Sequence, residues 1–184
     1  MSILVAYASK HGGTQGIAER IGEVLTASGQ PTDVRSVSHV EDASGYDAFV
    51  IGSATYAMHW VRDASAFVRM NLELLRLRPV WLFSSGPLGT ETATPDGREV
   101  RESAEPKEMA EFVDAVRPEQ HRVFYGVLDP DKLGFGERVI WERPAGRDLL
   151  PGGDFRDWSE IEEWAKAIAS ELADIGRQTG GPPR

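Results

Sequence analysis

The residue types best suited to chemistry fall in three short stretches. Ser9, Lys10, His11, Gly12, Gly13 and Thr14 lie between an apolar run, Ile3–Ala8, and a segment where Ile17, Ile21, Val24 and Leu25 recur at helical spacing. Glycine lets successive backbone N–H groups turn toward one point, and a following helix adds the positive end of its dipole. The stretch therefore suits an anion such as a phosphate monoester, with the Ser9 and Thr14 hydroxyls as further donors. A glycine turn with Thr14 or Gly13 capping the helix is the purely structural alternative. The second stretch, Ser53-Ala54-Thr55-Tyr56-Ala57-Met58-His59-Trp60, is rich in flat or polarizable side chains. The third, Ser84-Ser85-Gly86-Pro87-Leu88-Gly89, is made of small residues that let backbone approach a ligand edge. A planar heteroaromatic ring between these two would stack on Tyr56, with Trp60 packing beneath a helix. His59 has the chemistry to hydrogen-bond such a ring or to carry a proton near neutral pH; the alternative is a loop histidine facing water.

Competing chemistries fit less well. There is no G-x-x-x-x-G-K-[ST] run, and the glycines near residue 12 are not spaced G-x-G-x-x-G. No acidic ribose ligand ends the second strand, where Ser36-Val37-Ser38 stands, and Ala8-Ser9 replaces the acidic pair of a receiver domain. No hydrolase nucleophile motif is present, and cysteine chemistry is excluded because the chain has none. His39 and His121 have no partners at ligand spacing, so no metal site is expected.

Around these stretches the pattern alternates. Strands are expected at residues 3–8, 32–37, 48–52, 79–83 and 123–128. One helix follows the first strand and stops at Gly29; another carries Ala64, Phe67, Val68, Leu72 and Leu75. A polar stretch, residues 88–105, turns at Pro95-Asp96-Gly97 and is a candidate lid. Pro106 opens a helix whose apolar face is Met109, Phe112, Val113 and Val116. After an irregular Pro/Gly-rich segment, Asp157 caps a last helix with Glu160 as capping-box partner and Ile161, Ala165, Ile168 and Leu172 as its buried stripe. Arg156 and Asp157 are expected to fix that helix by a salt bridge and a cap. Residues 1–175 read as a single domain and 176–184 as a disordered tail. Strands alternating with helices predict an α/β fold, a parallel sheet covered on both faces, with ligands at the carboxyl ends of the strands.

Composition bounds the partners. With 184 residues, 41% hydrophobic content and a formal charge of −9, the chain can bury a core but offers no basic patch for nucleic acid. An acidic surface can steer a basic redox partner or serve solubility alone. No basic leader opens the chain and no segment approaches a membrane span, so a cytoplasmic protein is expected, with peripheral membrane contact left open. Oligomeric state stays open as well, a homodimer among the options.

With these stretches in place, the sequence resembles a flavodoxin-type FMN protein, and more narrowly the flavodoxin-domain group that includes menaquinone-dependent protoporphyrinogen IX oxidase. The resemblance rests on SKHGGT in the first loop, IGSATYAMHW, FSSGPLG, LDPDKLGFGER and GDFRDWSEIEEWAKAIASEL, and spans almost the whole chain. It implies a flavodoxin-like three-layer α/β/α sandwich with a five-stranded parallel sheet of order 2-1-3-4-5. It places the FMN phosphate on Ser9, Lys10, His11, Gly12, Gly13 and Thr14. The isoalloxazine would lie against Ala54, Thr55, Tyr56, Ala57 and His59, with Ser85, Gly86, Pro87 and Leu88 on its other side. SSGPLG lacks the aromatic that flavodoxins proper often carry there, which implies a ring open on that side to a substrate. The segment after the fifth strand is mixed in charge, where the heme-pathway relatives are strongly basic and apolar. The implied activity is an FMN-dependent oxidoreductase, in its narrowest form oxidising protoporphyrinogen IX with a quinone. A non-catalytic electron carrier, or a module binding a deazaflavin, is the alternative.

Overall fold

A computed structural model describes residues 1–179, without the side chains at 144, 148, 149 and 179. Five parallel strands form the sheet: β1 (Ile3–Ala8), β2 (Thr32–Ser36), β3 (Ala48–Tyr56), β5 (Val80–Ser85) and β6 (Gln120–Phe124), in the order β2-β1-β3-β5-β6. This is the expected 2-1-3-4-5 arrangement. Strands β1, β3 and β5 read as continuous apolar runs because all three are interior and covered on both faces. The edge strand β2 alternates instead between half-buried and exposed residues.

Two cores follow from the period of two along each strand. Ile3, Val5, Val50, Trp81, Phe83 and Phe124 face α1 (Gly13–Ala27) and α8 (Trp158–Thr179), whose Ile161, Ala165, Ile168 and Leu172 form the expected stripe. Leu4, Phe49, Ile51, Val80 and Leu82 face α2 (Arg62–Met70), α3 (Leu72–Leu75) and α5 (Met109–Val116). The three-layer α/β/α sandwich is thus present. Buried tryptophans keep their N–H groups satisfied across the layers: Trp81 donates to Glu171 at 3.0 Å and Trp164 to Gln120 at 2.8 Å.

Several boundaries differ from the sequence expectation. β3 continues past Gly52 to Tyr56, then turns through Ala57 and Met58 into a short antiparallel strand, β4 (His59–Trp60). Both turn residues are left-handed, with φ of 48° and 67°, as a two-residue hairpin requires. The expected second helix is broken at Asn71, whose side-chain amide donates to the Phe67 carbonyl at 2.8 Å and ends α2. Val113, expected in the core, is exposed; Met109, Phe112 and Val116 are buried. The fifth strand lies earlier than expected. It ends at Phe124, and after Tyr125-Gly126 the chain forms β7 (Val127–Leu128), which pairs antiparallel with β8 (Gly153–Asp154). The segment expected to be irregular between them contains α6 (Phe135–Trp141) and α7 (Pro144–Leu149). The helix α8 runs to Thr179, so residues 176–179 are helical rather than tail. Residues 180–184 lie outside the described residues.

In the polar stretch, α4 (Val100–Ser103) presents Arg101 to Glu160, with nitrogen–oxygen distances of 2.5 and 2.9 Å. Asp157 does cap α8, accepting the Glu160 N–H at 3.1 Å. The Glu160 carboxylate, however, is drawn to Arg101 and does not complete a capping box. Arg156 pairs with Asp154, not with Asp157, at 2.8 and 2.6 Å, and its guanidinium lies 4.4 Å from the Trp158 ring.

Candidate functional site at the carboxyl end of the sheet

The first loop leaves β1 at Ala8 and turns through Gly12, whose φ of +85° is left-handed and favours glycine. Ser9 Oγ accepts the Gly12 N–H at 3.0 Å, shaping the turn. No side chain caps α1, and its first turn carries no acidic residue. Its opening N–H groups therefore present an uncompensated positive end to whatever lies in front. A Cβ on Gly13 would meet Val127 Cγ1 at 2.7 Å, so this residue is small because β7 crosses over it. Arg156 Nη1 reaches back to donate to the Gly13 carbonyl at 3.2 Å, tying the segment before α8 to the first loop.

The hairpin supplies the second wall. Thr55 Oγ1 is buried with no hydrogen-bond partner. Tyr56 stands beside the first loop, with Lys10 Nζ 4.4 Å from its ring centroid and His11 edge-on at 6.3 Å. Burial, and then the Glu137 carboxylate, push its phenol up to about 12, so Tyr56 is a neutral donor throughout the physiological range. The third wall is the loop after β5. Gly86 packs so near Thr55 that a Cβ there would meet Thr55 Cβ at 3.0 Å. Its N–H donates to the Phe124 carbonyl at 3.3 Å.

These walls enclose a cavity of about 430 Å³, within the range of small-molecule sites. Of the residues expected to bind a cofactor, Ser9, His11, Gly13 and Thr14 line it from the first loop. Ala54, Thr55, Tyr56 and Ala57 line it from the hairpin, and Ser85, Gly86 and Leu88 from the third loop. Lys10, Gly12, His59 and Pro87 are not among its lining residues. Lys10 covers Tyr56, and the Pro87 carbonyl accepts the Gly126 N–H at 2.8 Å.

His59 departs furthest from the expected role. The turn at Ala57-Met58 sends it away from the cavity, half-exposed, with Nδ1 2.8 Å from the Glu108 carboxylate. Trp60, by contrast, packs as expected: it is buried, 5.4 Å from the Phe112 ring, and donates to Ser84 Oγ at 2.8 Å. Behind Ser84 lies His121, whose Nε2 is 2.9 Å from the same hydroxyl. Burial pushes the His121 imidazole down, against the opposing pull of Glu105.

The sequence reading missed the roof. Val127, Leu128, Leu133, Ile140 and Leu150 close the cavity from above, with Asp129 and Glu137 among them. The β7–β8 ribbon anchors this segment at both ends, and Trp141 Nε1 ties α6 to the Leu150 carbonyl at 3.1 Å. Its signal was present in LDPDKLGFGER, where isolated aliphatic residues interrupt a polar run. The polar stretch 88–105, the expected lid, contributes only Leu88 to the lining.

Chemically, the cavity joins an uncapped helix start to a wall bearing a neutral phenol and an unspent hydroxyl, under an apolar cover. That suits a flat apolar ring carrying an anionic tail. No helix among the described residues is long and apolar enough to cross a membrane.

The sequence model of a family described as "Flavodoxin domain" matches residues 4–144. Similar solved structures include a flavodoxin from the domain Archaea, with a TM-score of 0.59, 17% identity, and coverage of 94% of this chain and 99% of that one. Oxidised flavodoxin 2 from Bacillus cereus gives a TM-score of 0.57 at 20% identity, covering 93% of this chain and 99% of that one. Rubredoxin oxygen:oxidoreductase from Desulfovibrio gigas gives 0.61 at 13% identity over 94% of this chain, which spans only 36% of that longer protein. At these identities the likeness is one of fold. No curated protein sequence matches the chain.

Proposed function

The chain belongs to the flavodoxin domain family, and on that footing we propose that it binds FMN in the roofed cavity and is an FMN-dependent oxidoreductase acting on a small molecule. The observation that carries this reading is the Thr55 hydroxyl, buried without a partner in the same cavity as the uncapped start of α1. A buried polar atom left unsatisfied is costly, and a ligand edge bonding Thr55 while its phosphate meets α1 removes that cost. In this reading Ser9, Thr14 and the amides that open α1 hold the phosphate. Thr55 and Tyr56 orient the ring, and the aliphatic roof excludes water. When bound, FMN supplies the transfer of electrons or hydride, while the protein positions and tunes it.

The roof supports the enzyme reading over the carrier reading. A carrier passes electrons to a protein partner through an exposed ring edge, whereas Leu133, Ile140 and Leu150 cover this cavity with a surface suited to a flat apolar reactant. A quinone acceptor fits that description. Protoporphyrinogen IX as donor is the finest form of the reading, supported by the likeness of IGSATYAMHW and LDPDKLGFGER to that group. The formal charge of −9 favours the second reading, an electron carrier that docks a basic reductase.

Two measurements test these statements. FMN added to the purified protein should lose its free fluorescence and co-elute with the chain; retention of free-flavin emission by correctly folded protein would remove the cofactor reading. The FMN-loaded, reduced protein should be reoxidised rapidly by a soluble quinone. Indifference to quinones, with rapid exchange with a flavodoxin reductase, would decide for the carrier.

A further inference from the structure

A carboxylate on α6 faces the loop that the flavin reading gives to a phosphate. Glu137 Oε2 accepts the Gly134 N–H at 3.1 Å and stands 3.0 Å from His11 Nε2. The approach to His11 is close but not aligned as a hydrogen bond, so this buried nitrogen keeps its bonding capacity unspent. Burial alone would push the Glu137 carboxyl up, but the Gly134 amide, His11 and Lys10 together hold it below the usual carboxylate range. An anion is thus already present at the edge of an anion loop. It stands against His11, a residue that a bound phosphate would also approach, and within the field of the Lys10 ammonium. Glu137 is at the same time a side chain by which α6 touches the first loop.

Resting on the flavin reading, we propose that Glu137 is a resident anion that fastens α6 to the first loop and is displaced by the phosphate of FMN. This one carboxylate then sets how far the site prefers FMN over dephosphorylated riboflavin. Two like charges at one loop repel, and the misaligned contact with His11 is the weaker claim on that nitrogen. A phosphate oxygen satisfies His11 Nε2 and turns the Glu137 carboxylate out toward water, while the aliphatic residues of the roof stay in place. Riboflavin has no such oxygen and leaves the fastening in place. The side chains of His11 and Glu137 are 20% and 36% exposed, so solvent screens part of the competition and its effect is moderate.

The substitution Glu137→Gln keeps the size of the side chain and its acceptor for Gly134 while removing the charge. Titrated into apo-protein by fluorescence quenching, FMN should bind E137Q about tenfold more tightly than wild type, with riboflavin changed by less than about twofold. In nitrogen–proton spectra, inorganic phosphate should shift the Gly12 and Gly13 amides at lower concentration in E137Q than in wild type. Flavins that bind both proteins with an unchanged FMN-to-riboflavin ratio would overturn the proposal and leave the cofactor reading standing. Flavins that bind neither protein, with phosphate still favoured by E137Q, would uphold the role of Glu137 at the loop and remove the cofactor reading. Amides indifferent to phosphate in both proteins, together with an unchanged ratio, would overturn the proposal outright.

Discussion

Thr55→Val should make the empty protein more stable and the flavin complex weaker, two effects of opposite sign from one oxygen atom. Thr55 Oγ1 is buried and has no partner, and a group of this kind costs roughly 1–3 kcal/mol when left so. Valine has nearly the same shape, so the close contact with Gly86 is kept and no cavity opens. Taking the low end, the apo variant gains about 1 kcal/mol, a rise of ~2–4 °C in Tm for a chain of this length. In the complex the same oxygen is taken to bond the flavin edge. Its loss removes that bond and strands the ligand's polar atom, about 1–2 kcal/mol, which raises the Kd for FMN by roughly 5- to 30-fold. Thermal melts by circular dichroism give the first quantity and fluorescence titration with FMN the second. An apo variant less stable than wild type would mean that the hydroxyl already has a partner in the empty protein. Unchanged FMN affinity would mean that the ring does not reach Thr55. Either result refutes the assignment of this wall.

Other perturbations separate contacts that look alike. Gly13→Ala should weaken FMN binding by displacing β7, since its Cβ meets Val127 Cγ1 at 2.7 Å; adding Val127→Ala should restore binding in part, which crowding against the phosphate itself would not allow. Ser84→Ala leaves both Trp60 Nε1 and His121 Nε2 without their partner and should cost roughly 2 kcal/mol or more in urea unfolding; a cost near zero would mean the two rings find other acceptors. Burial places the folded pKa of His121 below its unfolded value of ~6.5, so the stability it contributes is full above that pH and is lost as pH falls through the folded value. Wild type should accordingly lose more stability than His121→Gln between about pH 7 and pH 5, and equal losses would contradict the assignment.

What was legible in the sequence follows the physics of each element. Ile3–Ala8, Ala48–Gly52 and the apolar part of β5 are covered on both faces, and such strands show as unbroken apolar runs. The continuation of β3 was hidden because Ser53 and Thr55 read as loop residues. The Ser53 hydroxyl in fact donates to the Ala54 carbonyl at 2.9 Å and accepts the Val61 N–H at 2.9 Å, which lets it lie buried in a strand. The hairpin carried no turn signal, since Ala57 and Met58 rarely adopt the left-handed conformation. That turn is what sends His59 to Glu108, a partner no local pattern announces. The roof was illegible for another reason: Leu128, Leu133, Ile140 and Leu150 share no period, and only the distant pairing of Val127 with Asp154 folds them over one cavity. The first loop was the most legible part, because glycines and hydroxyls at the start of a helix act through local geometry.

The hydrogen bond from Arg156 to the Gly13 carbonyl gives the site an order of assembly in time. On the ribosome the first loop emerges well before Arg156, which lies 143 residues beyond Gly13, and before the Asp154 that pairs with it and the β8 strand that holds β7 over Gly13. A nascent chain ending before residue 153 has the glycines, the hydroxyls and the start of α1, but neither the β8 half of the ribbon nor the clasp of Arg156. Closure of the cavity therefore waits until synthesis has passed Arg156, and a chain that stops before β8 carries the first loop without its cover or its clasp.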